Sequence, residues 1–242
     1  MLTRGQLAEF AERGFLVLPG VVPADVVDAA SGAIDELIKR DPPGAAVRGP
    51  HNYFPEAGQA PALAALLTGS PAFGAAESLT GPGTLERPWQ IQVALNIPPF
   101  PHRPGMHHID GAPAGPDGRP GTFTMLAGVL MSDQRGQDAG NLWVWPGTHL
   151  THAEYFREHG PDALLAAGGY PPIAAPEAEQ VTGRPGDLLL AHYLLGHNIG
   201  GNTSGAVRRA VYYRIKRTGH DSHWREFVAD PWRDYDAIRT GE

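Results

Sequence analysis

The sequence predicts one domain, mainly β with flanking helices, in which a jelly roll is backed by helices. Three observations carry that prediction. Strong helical periodicity is gathered in the first eighty residues. From Trp89 onward the chain breaks into many short segments of strand character at irregular spacing. A length of 242 residues is ordinary for an all-β barrel or sandwich that folds as one domain. Within it, residues 1–85 are expected to be mostly helical support, 86–220 the jelly-roll core and 221–242 a C-terminal extension.

The elements follow in chain order. Thr3 and Gln6 form a capping box, Leu7, Phe10 and Ala11 share one helical face, and Gly14 ends the first helix. Phe15 to Leu18 is a short apolar run stopped by Pro19-Gly20, which predicts a strand. A second helix follows Pro23, with Val27, Ala30, Ile34, Leu37 and Ile38 as its stripe and Asp41-Pro42 as its stop. Residues 43–60 read as loop. Two short helices are predicted near 61–68 and 71–79, the second opened by Ser70-Pro71. Gln90, Gln92, Ala94 and Asn96 alternate with Ile91, Val93, Leu95 and Ile97, the period of a strand with one polar face. Further strands are expected near 106–111, 122–132, 141–146, 178–182, 186–193 and 208–217, with a loop containing some helix over 150–175. The 31 glycines and 24 prolines are scattered as loop punctuation.

Composition excludes several classes of function. The formal charge of −7 argues against nucleic acid, which rewards a basic stripe, and against a polybasic membrane anchor. The chain has no cysteine, so disulfides, thiolate metal sites and a cysteine nucleophile are absent and any metal must use nitrogen and oxygen ligands. The opening MLTRGQLAEF lacks the uninterrupted apolar stretch of a secretory signal, and no apolar run is long enough to span a membrane. A cytoplasmic location is the expectation.

The chemistry concentrates in two segments. His108 and Asp110 are two residues apart, and in a strand such residues point to one face, where an imidazole and a carboxylate can share a metal. Two histidines and one carboxylate form the facial triad of non-haem iron oxygenases, with positions left open. The motif alone is weak: with 11 His and 26 acidic residues, chance supplies about one His-x-acid pair, and a second, His152 with Glu154, is present. The segment Gly186–Arg217 strengthens the first pair. It runs strand, His197, a Gly/Asn turn, then a strand bearing Arg208, eleven residues after the histidine. A hairpin of this length can place both on one cavity. An arginine fork suits a carboxylate, so the expected guest is a dicarboxylate with one end on iron and the other on Arg208. Strand parity puts Arg208, Ala210, Tyr212 and Arg214 on one face. Arg209, Val211, Tyr213 and Ile215 form the other, more apolar face, which should pack under the helices. His107 and His192 stay open as competing ligands. His149 and His152 are read as structural.

Four segments in order resemble the phytanoyl-CoA dioxygenase family: GFLVLPGVV at Gly14–Val22, HHID at His107–Asp110, GNLWVWPGTH at Gly140–His149 and GHNIGGNTSGAVRRA at Gly196–Ala210. The resemblance implies a double-stranded β-helix (jelly roll, cupin-like), Fe(II), 2-oxoglutarate and O2. It implies His108, Asp110 and His197 as iron ligands and Arg208 as the anchor of the distal carboxylate of 2-oxoglutarate. Asn96 and Gln92 lie where relatives often contact this cosubstrate. Ile199 stands where many relatives place serine, and Ile97 where some carry lysine, so those contacts differ here. Halogenating relatives replace the carboxylate, and this chain retains Asp110, which points to hydroxylation or a related oxidation. No catalytic residue beyond the metal ligands is required. Tyr53, His107, Trp143 and Trp145 are substrate-pocket candidates. The expected substrate is a small metabolite or natural-product intermediate. The alternative reading is a cupin-like metal protein acting without oxygen as an isomerase, hydrolase or ligand-binding module.

Overall fold

The first helix begins where its capping box sets it. The computed structural model of the chain describes residues 1–239. In it α1 runs Arg4–Arg13, with Thr3 and Gln6 bonded reciprocally and Gly14 closing the helix in the left-handed region. A cap of this kind contributes about 1 kcal/mol. Strand β1 (Phe15–Leu18) and helix α2 (Ala24–Arg40) follow, and Val27, Ala30 and Ile34 are the buried line of that helix. Helices α3 (Pro61–Thr68) and α4 (Pro71–Thr80) both start on proline, which arrives with its φ already set for a helix and has no N–H to leave unpaired.

The β-structure consists of two antiparallel sheets. The strands are β2 (Gly49–Tyr53), β3 (Gln92–Ile97), β4 (Met125–Leu130), β5 (Leu142–Val144), β6 (Glu179–Gln180), β7 (Leu188–His192), β8 (His197–Ile199) and β9 (Arg208–Ile215). The large sheet has the order β1-β7-β4-β9-β3-β2, and the small one β6-β5-β8. Their facing sides enclose a cavity lined by Ala94, Leu126 and Arg208 from the large sheet and Leu142, His197 and Ile199 from the small one. This is the double-stranded β-helix. The outer face of the large sheet packs under the helices, where the Tyr213 hydroxyl donates to the Leu63 carbonyl of α3 and Arg209 pairs with Asp35 of α2 at 2.7 Å.

The structure corrects the element map in two places and fills in two others. Residues 43–60 are not all loop: β2 pairs with β3 from Gly49↔Ile97 to Tyr53↔Val93. The segment GPHNY has little intrinsic strand preference, and its register is imposed by β3. Pro50 is tolerated because β2 is an edge strand. Both edge strands of the large sheet, β1 and β2, therefore come from the segment expected to be helical support. The segment 106–111 forms no strand but one bridge, His108↔His197. The stretch after the GNLWVWPGTH motif carries a three-turn helix, α5 (Thr148–His159), then a short α6 (Ala163–Ala166). The C-terminal extension folds as α7 (His220–Ala229) and α8 (Asp236–Arg239), its last three residues lying outside those described. No helix of the described residues is long and apolar enough to cross a membrane.

Candidate metal centre

The single bridge at His108 builds the centre. His108 N–H donates to the His197 carbonyl and His197 N–H to the His108 carbonyl, both at 3.0 Å, so the two residues form a directly opposed pair. Their rings stand 4.6 Å apart, centroid to centroid. Asp110 completes the group: its Oδ1 lies 3.8 Å from Nε2 of each histidine. The three candidate ligand atoms all fall within 4.8 Å of one another.

The ring of His197 is fixed by its other nitrogen. Nδ1–H donates to the Leu195 carbonyl at 3.0 Å, which leaves the lone pair of Nε2 directed at the group. Burial, reinforced by the neighbouring His197, pushes the pKa of His108 down to about 4, so its imidazole is neutral at pH 7. Burial acts on Asp110 in the opposite direction. The neighbouring His197, Arg214, which also hydrogen-bonds it, and His108 outweigh burial, and the carboxyl is held below its usual range. Two imidazoles and one carboxylate, with no thiolate, are the donor set of a non-haem iron triad.

Arg208 lines the same cavity of about 170 Å³ and is 2% exposed. Its Nε donates to Gln134 Oε1 at 2.9 Å and its Nη2 to the Tyr212 hydroxyl. Both partners are neutral. Among the described residues no carboxylate lies within ion-pairing distance of it, and it is the one buried arginine or lysine. Gly140 makes room for it: at φ +83° its Cα packs so close that a Cβ would stand 2.7 Å from Arg208 Cβ.

The other candidates divide by whether they line this cavity. Gln92 lines the cavity and accepts from Arg214 Nη1 at 2.9 Å. Asn96 is fully buried outside the cavity lining. Its amide donates to the Gly200 carbonyl at 2.8 Å, and its Oδ1 has no partner. Tyr53 lies on the opposite face of β2, its hydroxyl bonded to the Asp41 carbonyl at 2.7 Å, while Pro50 and Asn52 of the same strand line the cavity. Trp143 faces away in the same manner, packed so tightly on Gly200 that a Cβ there would meet its indole nitrogen at 2.2 Å. Leu142 takes the inward place. Trp145 and His107 pack on each other at 5.5 Å behind the metal group. Tyr53, His107, Trp143 and Trp145 thus do not line the cavity. His192 is buried with both ring nitrogens bonded, Nε2 to the Pro231 carbonyl and Nδ1 from Leu194 N–H, which removes it as a competing ligand.

Sequence reasoning missed Arg214, whose Nε and Nη2 reach Asp110 Oδ2 at 3.0 and 2.8 Å. Its shared face with Arg208 was the available signal. Gln134 was missed with no signal, since it comes from a loop that only the tertiary fold brings to Arg208. A second His-His-Asp group, His220, His223 and Asp234, is closed by its own hydrogen bonds at 2.6 and 2.8 Å and reads as a clasp between α7 and the chain leading to α8.

Residues 98–210, which hold all three triad residues and Arg208, match the family model of phytanoyl-CoA dioxygenase (PhyH). By that match the segment resembles the phytanoyl-CoA dioxygenase family. Solved structures agree in fold with this chain over nearly its whole length. HygX from Streptomyces hygroscopicus, with nickel and 2-oxoglutarate bound, is 20% identical with a TM-score of 0.63, over 90% of this chain and 88% of that one. SnoK, the non-heme alpha ketoglutarate dependent carbocyclase from nogalamycin biosynthesis, is 20% identical at 0.62, over 92% and 90%. EctD from S. alaskensis, with 2-oxoglutarate and 5-hydroxyectoine, is 21% identical at 0.58, over 89% and 76%. No curated protein matches this chain by sequence.

Proposed function

We propose that this protein is an Fe(II)- and 2-oxoglutarate-dependent dioxygenase of the phytanoyl-CoA dioxygenase type that hydroxylates an unactivated C–H bond of a small molecule. The observation that carries the reading is Arg208: a buried guanidinium with neutral partners only, lining the same cavity as the triad. A buried cation without a counter-ion is costly, and an anionic guest removes that cost. The family match and the metal-like donor set support iron as the partner of that guest.

His108, Asp110 and His197 would hold the iron. When bound, the metal supplies the oxygen chemistry, in which 2-oxoglutarate and O2 become succinate and carbon dioxide while C–H becomes C–OH. The chain's own work is to bind, orient and keep dry. Arg208 offers its fork to the distal carboxylate, and Gln134 and Tyr212 fix the plane of that fork. Ala94, Leu126, Leu142 and Ile199 present apolar walls that exclude water. Ile199 supplies no hydroxyl, so the carboxylate depends on Arg208 and its neighbours.

The substrate's place is the adjoining groove of about 480 Å³, which shares Gln92 and Arg214 with the metal cavity and carries Trp89, 71% exposed, on its rim. An exposed indole offers a flat face to a ring-bearing molecule. Similar structures hold such guests: hygromycin B in HygX and nogalamycin RO in the epimerase SnoN. A small metabolite or natural-product intermediate in the cytoplasm is the corresponding reading for this chain, with no nucleic acid or membrane partner.

The test is a visible spectrum taken without oxygen. Fe(II) and then 2-oxoglutarate added to the purified protein should give a weak charge-transfer band that His197→Ala abolishes. Folded protein that takes up iron and shows no band would move a metal protein acting without oxygen ahead.

A further inference from the structure

Asp110 belongs to a connection rather than a strand. A loop carboxylate is free to rotate, and either oxygen can face a metal. Here the two oxygens have different neighbours. Oδ1 is 3.8 Å from both imidazole Nε2 atoms, while Oδ2 accepts from Arg214 Nε at 3.0 Å and Nη2 at 2.8 Å. The guanidinium is held in turn. Its Nη1 donates to Gln92 Oε1 at 2.9 Å, Gln92 Nε2 donates to Asn52 Oδ1 at 3.2 Å, and the Phe123 ring lies 5.8 Å below the charge. Asn52, Gln92 and Arg214 stand on three hydrogen-bonded neighbours, β2, β3 and β9. The backbone of Asp110 is held separately by the Tyr193 hydroxyl, which donates to its carbonyl at 2.8 Å.

We propose that Arg214 is a positioning residue: it engages Oδ2 of Asp110, reserves Oδ1 for the metal, and lends a loop ligand the rigidity of the sheet. The proposal rests on the metal-centre reading above. Two effects of Arg214 oppose each other. Pairing with a cation makes the carboxylate a poorer electron donor, which weakens metal binding. Fixing its rotamer removes an ordering cost and strengthens it. Hydrogen-bonded partners of metal ligands are typically worth about 10- to 100-fold in metal affinity, so orientation outweighs the loss of basicity. The fork matters as well as the charge, because lysine cannot hold Oδ2 and Gln92 in one plane. Arg214 also forms part of the groove wall, so a molecule seated there touches the outer side of the clamp.

The experiment is anaerobic Co(II) titration of the full chain, read by calorimetry and by the visible ligand-field bands. Arg214→Met should weaken Co(II) binding about 10- to 100-fold and alter the bands, since Oδ2 is then free. Arg214→Lys should fall between it and the wild type. Arg209→Met, which removes the next arginine of β9 from the helix side, should match the wild type. Wild-type protein that binds no Co(II) overturns the metal-centre reading itself. Wild-type binding with Arg214→Met of equal or higher affinity and unchanged bands overturns only the positioning role. If Arg214→Met does not fold, Gln92→Leu tests the clamp from its other end, and unchanged affinity and bands there refute it.

Discussion

Replacing Arg208 by Met should separate cosubstrate binding from stability. Methionine retains most of the buried stem and removes the charge. On stability two effects oppose. The loss of the Nε bond to Gln134 and the Nη2 bond to Tyr212 strands Gln134 Oε1 as a buried acceptor, at about 1 to 3 kcal/mol. Against this, the variant no longer desolvates a guanidinium that has no counter-ion, a penalty of several kcal/mol in protein interiors. The net change should stay within about 2 kcal/mol of zero, or about 4 to 8 °C in Tm for a chain of this size. Anion binding has no such compensation. Removing the cation of a buried, hydrogen-bonded charge pair costs about 2 to 5 kcal/mol, about 30- to 4000-fold in Kd. The assay is calorimetric titration of 2-oxoglutarate into Co(II)-loaded protein, with the melting curve measured alongside. A variant that keeps Co(II) and binds 2-oxoglutarate within about threefold of the wild type would refute the argument from the unpaired buried cation.

Three further perturbations follow from the same geometry. Gly140→Ala should weaken 2-oxoglutarate binding and lower stability by more than about 1 kcal/mol, because φ +83° disfavours alanine and the new Cβ drives into Arg208 Cβ; calorimetry and a urea titration check both. Tyr53→Phe should leave metal and 2-oxoglutarate affinities unchanged and cost about 1 kcal/mol of stability through the lost bond to the Asp41 carbonyl, and a cosubstrate defect in this variant would place Tyr53 back at the site. Burial pushes the pKa of His152 down to about 3, so the unfolded chain takes up the proton that the folded chain refuses, and its contribution to stability falls progressively as pH drops below about 6.5. At pH 4.5 the loss relative to pH 7 is about 2 to 3 kcal/mol, and urea midpoints at the two pH values should differ less in His152→Gln than in the wild type.

The parts of this protein that were legible in the sequence are those set by local physics. A capping box, an apolar stripe on α2 and the Ser70-Pro71 start of α4 place three helices close to their observed ends, because each signal acts within a few turns of chain. The alternation around Gln92 and Arg208 assigned faces correctly, since a strand leaves each side chain only two directions. What stayed hidden depends on partners distant in sequence. β2 is a strand only because β3 offers it a ladder, and an edge strand needs no strand propensity of its own.

The same distinction explains the site. His108 and Asp110 were paired by a spacing argument that assumes a strand, yet the segment forms none. They converge because one bridge sets His108 opposite His197 and Arg214 holds the carboxylate from the sheet. The spacing reading reached a compact triad by the wrong local route. The pocket candidates failed for a related reason. Tyr53, Trp143 and Trp145 were chosen for their chemistry, and aromatic bulk serves packing at least as readily as a pocket. Parity within the same strands places the smaller Asn52 and Leu142 at the cavity instead. In a double-stranded β-helix a residue's face decides whether its chemistry reaches the centre, and a face can be read from sequence only once the strand's register is known.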